Sequence, residues 1–212
     1  MTCRSERLTL APSGRTYLLD GCRLPSVTQI MREMGVTDDL SHIPEHVLAK
    51  AAARGNAVHA ATDLWPDVLP EFPEEYRPWL NAYGMFISDT GFRQTESEVP
   101  IASIVHGFAG RLDKLGWLYG LRTIVDVKVR VAMPADEVLY QTSGYALAYD
   151  EMNPDDPIQQ IVGLQLKRNG MYGLVMANRV GSEHDLDIWL RRWVKLMRGY
   201  NGSEADAESG RV

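Results

Sequence analysis

Residues 107–129 read GFAGRLDKLGWLYGLRTIVDVKV, and this stretch decides the fold of the 212-residue chain. Two apolar, strand-like runs, 107–118 and 123–129, flank the turn signal Tyr119-Gly120. Gly120 supplies the positive φ that a two-residue hairpin loop requires. The pattern therefore predicts two antiparallel strands joined by a tight turn.

The register of this hairpin determines which charged side chains meet. With a two-residue loop, Leu118 pairs with Leu121 and Asp113 lies directly across from Asp126. A four-residue loop would shift the register and keep the same faces. Because side chains alternate along a strand, Asp126 and Lys128 also share a face, about 7 Å apart. Buried carboxylates are costly unless a divalent cation offsets them, so the pattern predicts metal-dependent phosphodiester hydrolysis.

Length and composition narrow the class of protein. A chain of 212 residues with 45% hydrophobic content can bury one core, so one domain is expected. No apolar stretch is long enough to span a membrane, and the charged start lacks a signal peptide, which indicates a cytoplasmic protein without membrane contact. Cys3 and Cys22 are too few for a four-cysteine cluster and are expected to be free thiols. The net charge of -6 restricts DNA contact to local basic groups and bound metal.

Turn and capping signals divide the chain into an N-terminal hairpin extension (1–23), a main domain (24–200) and a polar tail (201–212) that is expected to be disordered. Ser26 and Gln29 fit a capping box at the start of the first helix. Helices are predicted at about 27–34, 44–65, 74–88, 136–152 and 183–200, strands at about 95–104, 107–118 and 123–129, and a second hairpin at 160–179 with the turn Asn169-Gly170.

This order of elements, together with a set of short motifs, resembles the PD-(D/E)XK nuclease superfamily, in particular the RecB-like branch that includes phage-encoded exonucleases. The matching segments are 24-LPSVTQI-30, 54-RGNAVHAATD-63, Glu98, 110-GRLD-113, 126-DVK-128 and 141-QTSGY-145. Each motif alone is weak, and the specificity lies in the ordered set. The resemblance implies a single α/β domain with a central mixed sheet flanked by helices, the restriction-endonuclease-like core.

The resemblance also implies Mg²⁺ or Mn²⁺ as cofactor, and the two cysteines are too few for the iron–sulfur cluster that some members of the branch carry. Asp113 and Asp126 are expected to bind the cation directly, with the backbone carbonyl of Val127 completing the sphere. A solvated face would instead set one aspartate opposite another, which like-charge repulsion disfavours. His59 is implied as a ligand from outside the sheet, although a lone histidine is more often structural. Asp63, on the same helix face, is either a partner that fixes the imidazole tautomer or unrelated to the site.

Four further residues are candidates for catalysis. Lys128 cannot bind a cation, and is expected to orient the attacking water, help remove its proton or stabilise charge on the phosphate. Its alternative is a surface salt bridge. Glu98 is expected to serve a second metal position or a water, or to lie on an exposed polar face. Gln141 and Tyr145 are implied to position the substrate strand and the lysine, the alternative being a surface glutamine beside a half-buried tyrosine.

Arg54 and Arg130 are candidates for DNA contact, whereas the basic face of the last helix is interpreted as solvated. The implied function is DNA hydrolysis by a phage-type exonuclease in recombination or replication. Its implied partners are DNA and a single-strand annealing or other recombination protein. Val129-Arg130 follows Lys128 where relatives usually have a small hydroxyl residue and glycine. That departure, together with the acidic net charge, keeps open a catalytically inactive DNA-binding or protein-interaction module with the same fold.

Overall fold

The computed structural model describes residues 8–10, 16–67, 72–179 and 185–209. In chain order the elements are β1 Leu8–Leu10, β2 Tyr17–Leu19, β3 Cys22–Leu24, α1 Val27–Glu33, α2 Glu45–Asp63, a 3-10 turn Glu74–Tyr76, α3 Arg77–Thr90, β4 Arg93–Ser103, β5 Phe108–Leu118, β6 Leu121–Lys128, α4 Ala135–Met152, β7 Gln160–Leu166, β8 Tyr172–Asn178 and α5 Leu186–Ser209. No helix in this part of the chain is long and apolar enough to cross a membrane.

A five-stranded mixed sheet in the order β4-β5-β6-β7-β8 forms the centre of the fold. β6 and β7 are parallel, and the other neighbours are antiparallel. A parallel pair needs a crossover connection, which α4 supplies. Apolar side chains of α1, α4 and α5 pack on one face of the sheet, and those of α2 and α3 pack on the other. The predicted α/β class with a mixed, helix-flanked sheet is confirmed.

The hairpin of β5 and β6 has the predicted two-residue loop. Tyr119 (φ 53°) and Gly120 (φ 79°) both adopt positive φ, and Leu118 pairs with Leu121. Such a turn matches the twist of the strands it joins. The pairing continues as far as Lys114 and Val125. Beyond that point β5 stays paired with β4 and β6 with β7, so the two strands form a fork.

The capping box at α1 is half formed. The Ser26 Oγ accepts the Gln29 backbone N–H at 3.1 Å, whereas the Gln29 side chain donates to Glu33 Oε1 at 2.9 Å instead of returning to the cap. The helix buries Val27 and Ile30 in the core on the α4 side. One cap hydrogen bond and an apolar face are therefore sufficient to start this helix.

Both ends of the chain differ from expectation. The N-terminal segment forms three short antiparallel strands, with a turn at Asp20-Gly21, and the second turn signal at Ser13-Gly14 lies outside the described residues. Cys22 is free, as expected, and Cys3 lies outside the described residues. The structure continues α5 to Ser209, past the predicted helix end at about residue 200, and the disorder expected from residue 201 stays a prediction. Alanine and glutamate in this stretch are strong helix formers.

Candidate active site

The fork between β5 and β6 is held open by the carboxylate of Asp113. Its Oδ2 accepts the backbone N–H of Val127 at 2.8 Å, where a continued ladder would have placed a main-chain carbonyl. The carboxylate is thus fixed between the two strands. Asp126 lies one step along β6 from the last backbone pair, on the α4 side of the sheet like Ile124.

Three potential metal ligands meet at this fork. His59 of α2, Glu98 of β4 and Asp113 of β5 each offer a ligand atom, and these atoms lie within 4.8 Å of one another. The His59 Nδ1 is 3.5 Å from Asp113 Oδ2. Carboxylate oxygens and an imidazole nitrogen at this spacing can surround a single divalent cation.

Asp126 is buried beside this cluster, with 1% of its side chain exposed. Neither carboxylate oxygen has a hydrogen-bond partner among the described residues. The Lys128 Nζ lies 2.7 Å from Oδ2, and we treat this contact as an ion pair because it does not meet hydrogen-bond geometry. An ionised carboxylate in this setting is costly, and a cation next to it would lower that cost.

Gln141 and Tyr145 hold Lys128 from α4. The Lys128 Nζ donates to Gln141 Oε1 at 2.8 Å, and Gln141 Nε2 donates to the Tyr145 hydroxyl at 2.9 Å. Tyr145 packs over Gly110, where any Cβ would come within 2.8 Å of the ring. The glycine of the 110-GRLD-113 motif therefore makes room for the tyrosine that supports this chain of hydrogen bonds.

Burial perturbs the ionisation of these groups. Burial first, and then the Asp126 charge, raise the pKa of Asp113 to about 8, while Lys128 and the Val127 N–H act in the opposite direction. Burial lowers the pKa of His59, although Asp126 acts to raise it. At neutral pH the imidazole is therefore neutral and keeps a lone pair for a metal. A bound cation would reverse the shift at Asp113.

Glu98 has an unusual backbone for a strand residue. Its φ is 53°, in the left-handed region that glycine tolerates best, and it lies opposite Asp113 between the Ser97 and Val99 pairs. Its Oε2 is 2.6 Å from the Arg111 Nε. The sequence motif did not single out Arg111, whose side chain fixes one of the three cluster members.

Asp63 does not contact His59, contrary to one of the two sequence interpretations. It forms an ion pair with Lys114 Nζ, and Lys114 is 1% exposed and lies 5.8 Å from the Tyr83 ring centre. His59 and Asp63 lie one turn apart on α2, and they contact the adjacent β5 residues Asp113 and Lys114 respectively. A lysine that follows Asp113 within a mostly buried strand was the signal for this pair, because buried lysines are almost always paired.

The predicted DNA-contact residues lie next to the fork. Arg54 lies over the Trp79 ring at 5.2 Å, and Arg130 Nη1 donates to both carboxylate oxygens of Glu137 at 2.9 and 3.1 Å. Both arginines line a groove beside the site. The basic residues of the last helix are exposed: Arg191, Arg192, Lys195 and Arg198.

Comparisons with known proteins give fold-level likeness only. No family model matches the sequence, and no curated protein matches it. LHK-Exo in complex with dAMP is 15% identical over 65% of this chain and 70% of its own, with a TM-score of 0.43. A candidate exonuclease from Eubacterium rectale is 12% identical over 87% and 74%, with a TM-score of 0.49. The alkaline exonuclease LHK-Exo from Laribacter hongkongensis is 11% identical over 63% and 71%, with a TM-score of 0.32.

Because these sequence identities and TM-scores are low, the chemistry has to be inferred from the residues of the chain itself. Its central sheet is mixed and flanked by helices, and the motif residues Asp113, Asp126 and Lys128 lie on the second and third strands of that sheet. In fold and in the order of its motifs, this chain resembles the PD-(D/E)XK nuclease superfamily.

Proposed function

We propose that the chain is a divalent-metal-dependent deoxyribonuclease that hydrolyses DNA phosphodiester bonds, as an exonuclease of the phage recombination or replication type. The observation that carries this proposal is the fork, where two aspartates, a glutamate, a histidine and a lysine from four elements converge. Carboxylates that destabilise one another when metal-free are suited to a site that a cation completes.

The donor set fits Mg²⁺ or Mn²⁺. The unpartnered oxygens of Asp126 and the raised pKa of Asp113 both indicate a place where positive charge would be stabilising. Hard carboxylate oxygens suit these ions, and His59 and the Val127 carbonyl are the proposed further ligands. When bound, the ion would act as a Lewis acid on the phosphate and lower the pKa of the attacking water.

Lys128 supplies the remaining positive charge at the site. An ammonium group has three N–H donors, and Asp126 and Gln141 account for two of its neighbours. The third donor is left for the attacking water or a phosphate oxygen, where it can stabilise negative charge that develops during the reaction. Gln141 and Tyr145 set the position of the ammonium, and Glu98 is the proposed contributor to a second metal position or to water binding.

The test is cleavage of single-stranded, double-stranded and branched DNA in Mg²⁺ or Mn²⁺, with and without chelator. Asp126→Asn should abolish cleavage, whereas the matched control Asp136→Asn, at an exposed aspartate of α4, should not. Covalently closed circular DNA distinguishes an exonuclease from an endonuclease, because an exonuclease needs a free DNA end and should leave this substrate intact. No turnover on any substrate with either ion, combined with DNA binding, would favour the inactive DNA-binding module that Val129-Arg130 keeps open.

A further inference from the structure

A basic groove with a volume of about 560 Å³ lies beside the fork. Its lining comes from α2, from α3 and the 3-10 turn before it, from residues after β6 and from the turn between β7 and β8. Among the described residues, Glu75 is the one carboxylate in this lining, against five cations: Lys50, Arg54, Arg130, Lys167 and Arg168. The net charge of the chain is -6, so the groove is a local reversal of charge.

Two of these cations, Arg54 and Arg130, are fixed by neighbouring side chains and still have N–H donors without a partner among the described residues. The Arg54 guanidinium lies over the Trp79 ring, and Glu137 binds Arg130 through Nη1. Arg54 Nε, Arg130 Nε and Arg130 Nη2 are buried and have no hydrogen-bond partner in the described part of the chain. Buried donors without an acceptor are destabilising, and an acceptor that reached them would remove that penalty. Phosphate oxygens are the acceptors that guanidinium groups bind best.

The groove lining begins one residue after the candidate catalytic lysine, at Val129 and Arg130. Arg130 follows Lys128 by two residues, so at most about 7 Å of backbone separates them. Gln165, the strand partner of Lys128 on β7, donates through Nε2 to the carbonyls of Arg130 and Val131 at 3.0 and 2.7 Å. The loop that carries Arg130 is therefore fixed relative to the lysine.

We propose that this groove binds an unpaired strand of DNA next to the scissile phosphate, an inference that rests on the proposed function and names its substrate class. Pockets of roughly 300–1,000 Å³ enclose ligands of drug size, and a short stretch of single strand fits this size better than a duplex. Cations that follow a backbone, with an aromatic ring such as the half-buried Tyr76 for base contact, are features of single-strand binding. Arg54 and Arg130 would bind phosphates, and the exposed Lys167 and Arg168 would extend the track.

The test is binding of a fluorescein-labelled oligothymidylate and of a labelled hairpin duplex, measured by anisotropy in chelator over a range of salt concentrations. Lys167→Gln/Arg168→Gln should weaken single-strand binding at least tenfold. It should also reduce the slope of log K against log salt by about 1.4, or roughly 0.7 for each lost phosphate contact. The matched control Arg191→Gln/Lys195→Gln makes the same charge change on exposed α5 and should alter affinity less than twofold.

Three results would refute the proposal that the groove binds single-stranded DNA. These are equal losses of affinity in the two double variants, duplex binding as tight as single-strand binding, and no measurable binding by the wild-type protein. Arg54→Met adds an independent check from the α2 wall, with thermal melting to verify its fold. Because binding is measured without metal, its outcome is separate from that of the cleavage assay. If the groove residues are needed for binding but no substrate is cleaved, the groove proposal stands and the nuclease proposal is refuted. If DNA is cleaved but the groove residues do not affect binding, the nuclease proposal stands and the groove proposal is refuted.

Discussion

Replacing Asp113 with asparagine should stabilise the metal-free protein and, at the same time, abolish metal binding. The pKa of the Asp113 carboxyl is raised from 3.8 to about 8, chiefly by burial and then by the Asp126 charge. A carboxyl with a raised pKa in the folded state stabilises that state below pH 3.8. This contribution is lost as pH rises towards about 8, since the unfolded chain ionises freely.

The size of this stabilisation follows from the difference between the ordinary pKa of 3.8 and the raised pKa of about 8. At pH 7 the folded protein keeps a proton that the unfolded chain has released, a difference of about 4 kcal/mol in the free energy of unfolding. Asp113 is 19% exposed, and asparagine can still accept the Val127 N–H, so we halve the figure and expect a gain of about 2 kcal/mol. For a chain of this size that gain corresponds to an increase of about 4–8 °C in Tm.

The measurement is thermal unfolding in chelator at pH 5, 7 and 8, with Asp136→Asn as the control variant. The advantage of Asp113→Asn should grow across this range, because the wild-type carboxyl becomes more costly as pH rises. In excess Mn²⁺ the order should reverse, since ligand at a hundred times its Kd stabilises the wild type by about 2.7 kcal/mol. A variant no more stable than wild type in chelator, or an advantage independent of pH, would refute the reasoning.

The remaining predictions concern single side chains. Lys128→Ala should abolish cleavage while Mn²⁺ affinity by calorimetry stays near wild type, and a parallel loss of affinity would contradict its assigned role. His59→Ala should weaken Mn²⁺ binding and lose the component of the pH dependence that comes from protonation of the imidazole lone pair, a component expected below the ordinary histidine range because burial lowers the pKa of His59. Gln141→Ala should reduce the cleavage rate at least tenfold without changing Tm, because a misplacement of about 1 Å costs roughly a hundredfold. Lys114→Met should destabilise the protein by about 3 kcal/mol in chemical unfolding, and adding Asp63→Leu should recover part of the loss.

The hairpin could be predicted from the sequence because its determinants are local. Gly120 provides the positive φ of the turn, and the two-residue loop then sets the register from Leu118 and Leu121 as far as Lys114 and Val125. The predicted pairing of Asp113 with Asp126 does not form, because the strands separate beyond that point and the Asp113 carboxylate binds the Val127 N–H instead. The i, i+4 spacing likewise predicted that Gln141 and Tyr145 act together, and their hydrogen bond has that geometry. Short-range rules suffice where both partners lie on one element or one hairpin.

The contacts that escaped prediction depend on how separate elements are rotated. α2 buries Val58, Ala61 and Thr62, which is too little apolar surface to reveal from sequence which side faces the sheet. Whether Asp63 would bind His59 or Lys114 was therefore open. The positive φ of Glu98 could not be predicted either, because none of the neighbouring residues requires a left-handed conformation within a strand.

Three energetically unfavourable features meet at the fork, and their coincidence favours catalysis over a binding module. Within the described part of the chain, Asp126 is the one residue whose buried carboxylate oxygens lack hydrogen-bond partners. Asp113 carries a strongly raised pKa, and Glu98 has a strained backbone, which typically costs about 1–3 kcal/mol. A module that only bound DNA would be more stable with amides at these positions and a relaxed strand. Local violations of folding rules are expected where a site needs them, and here they surround one position that a cation would complete.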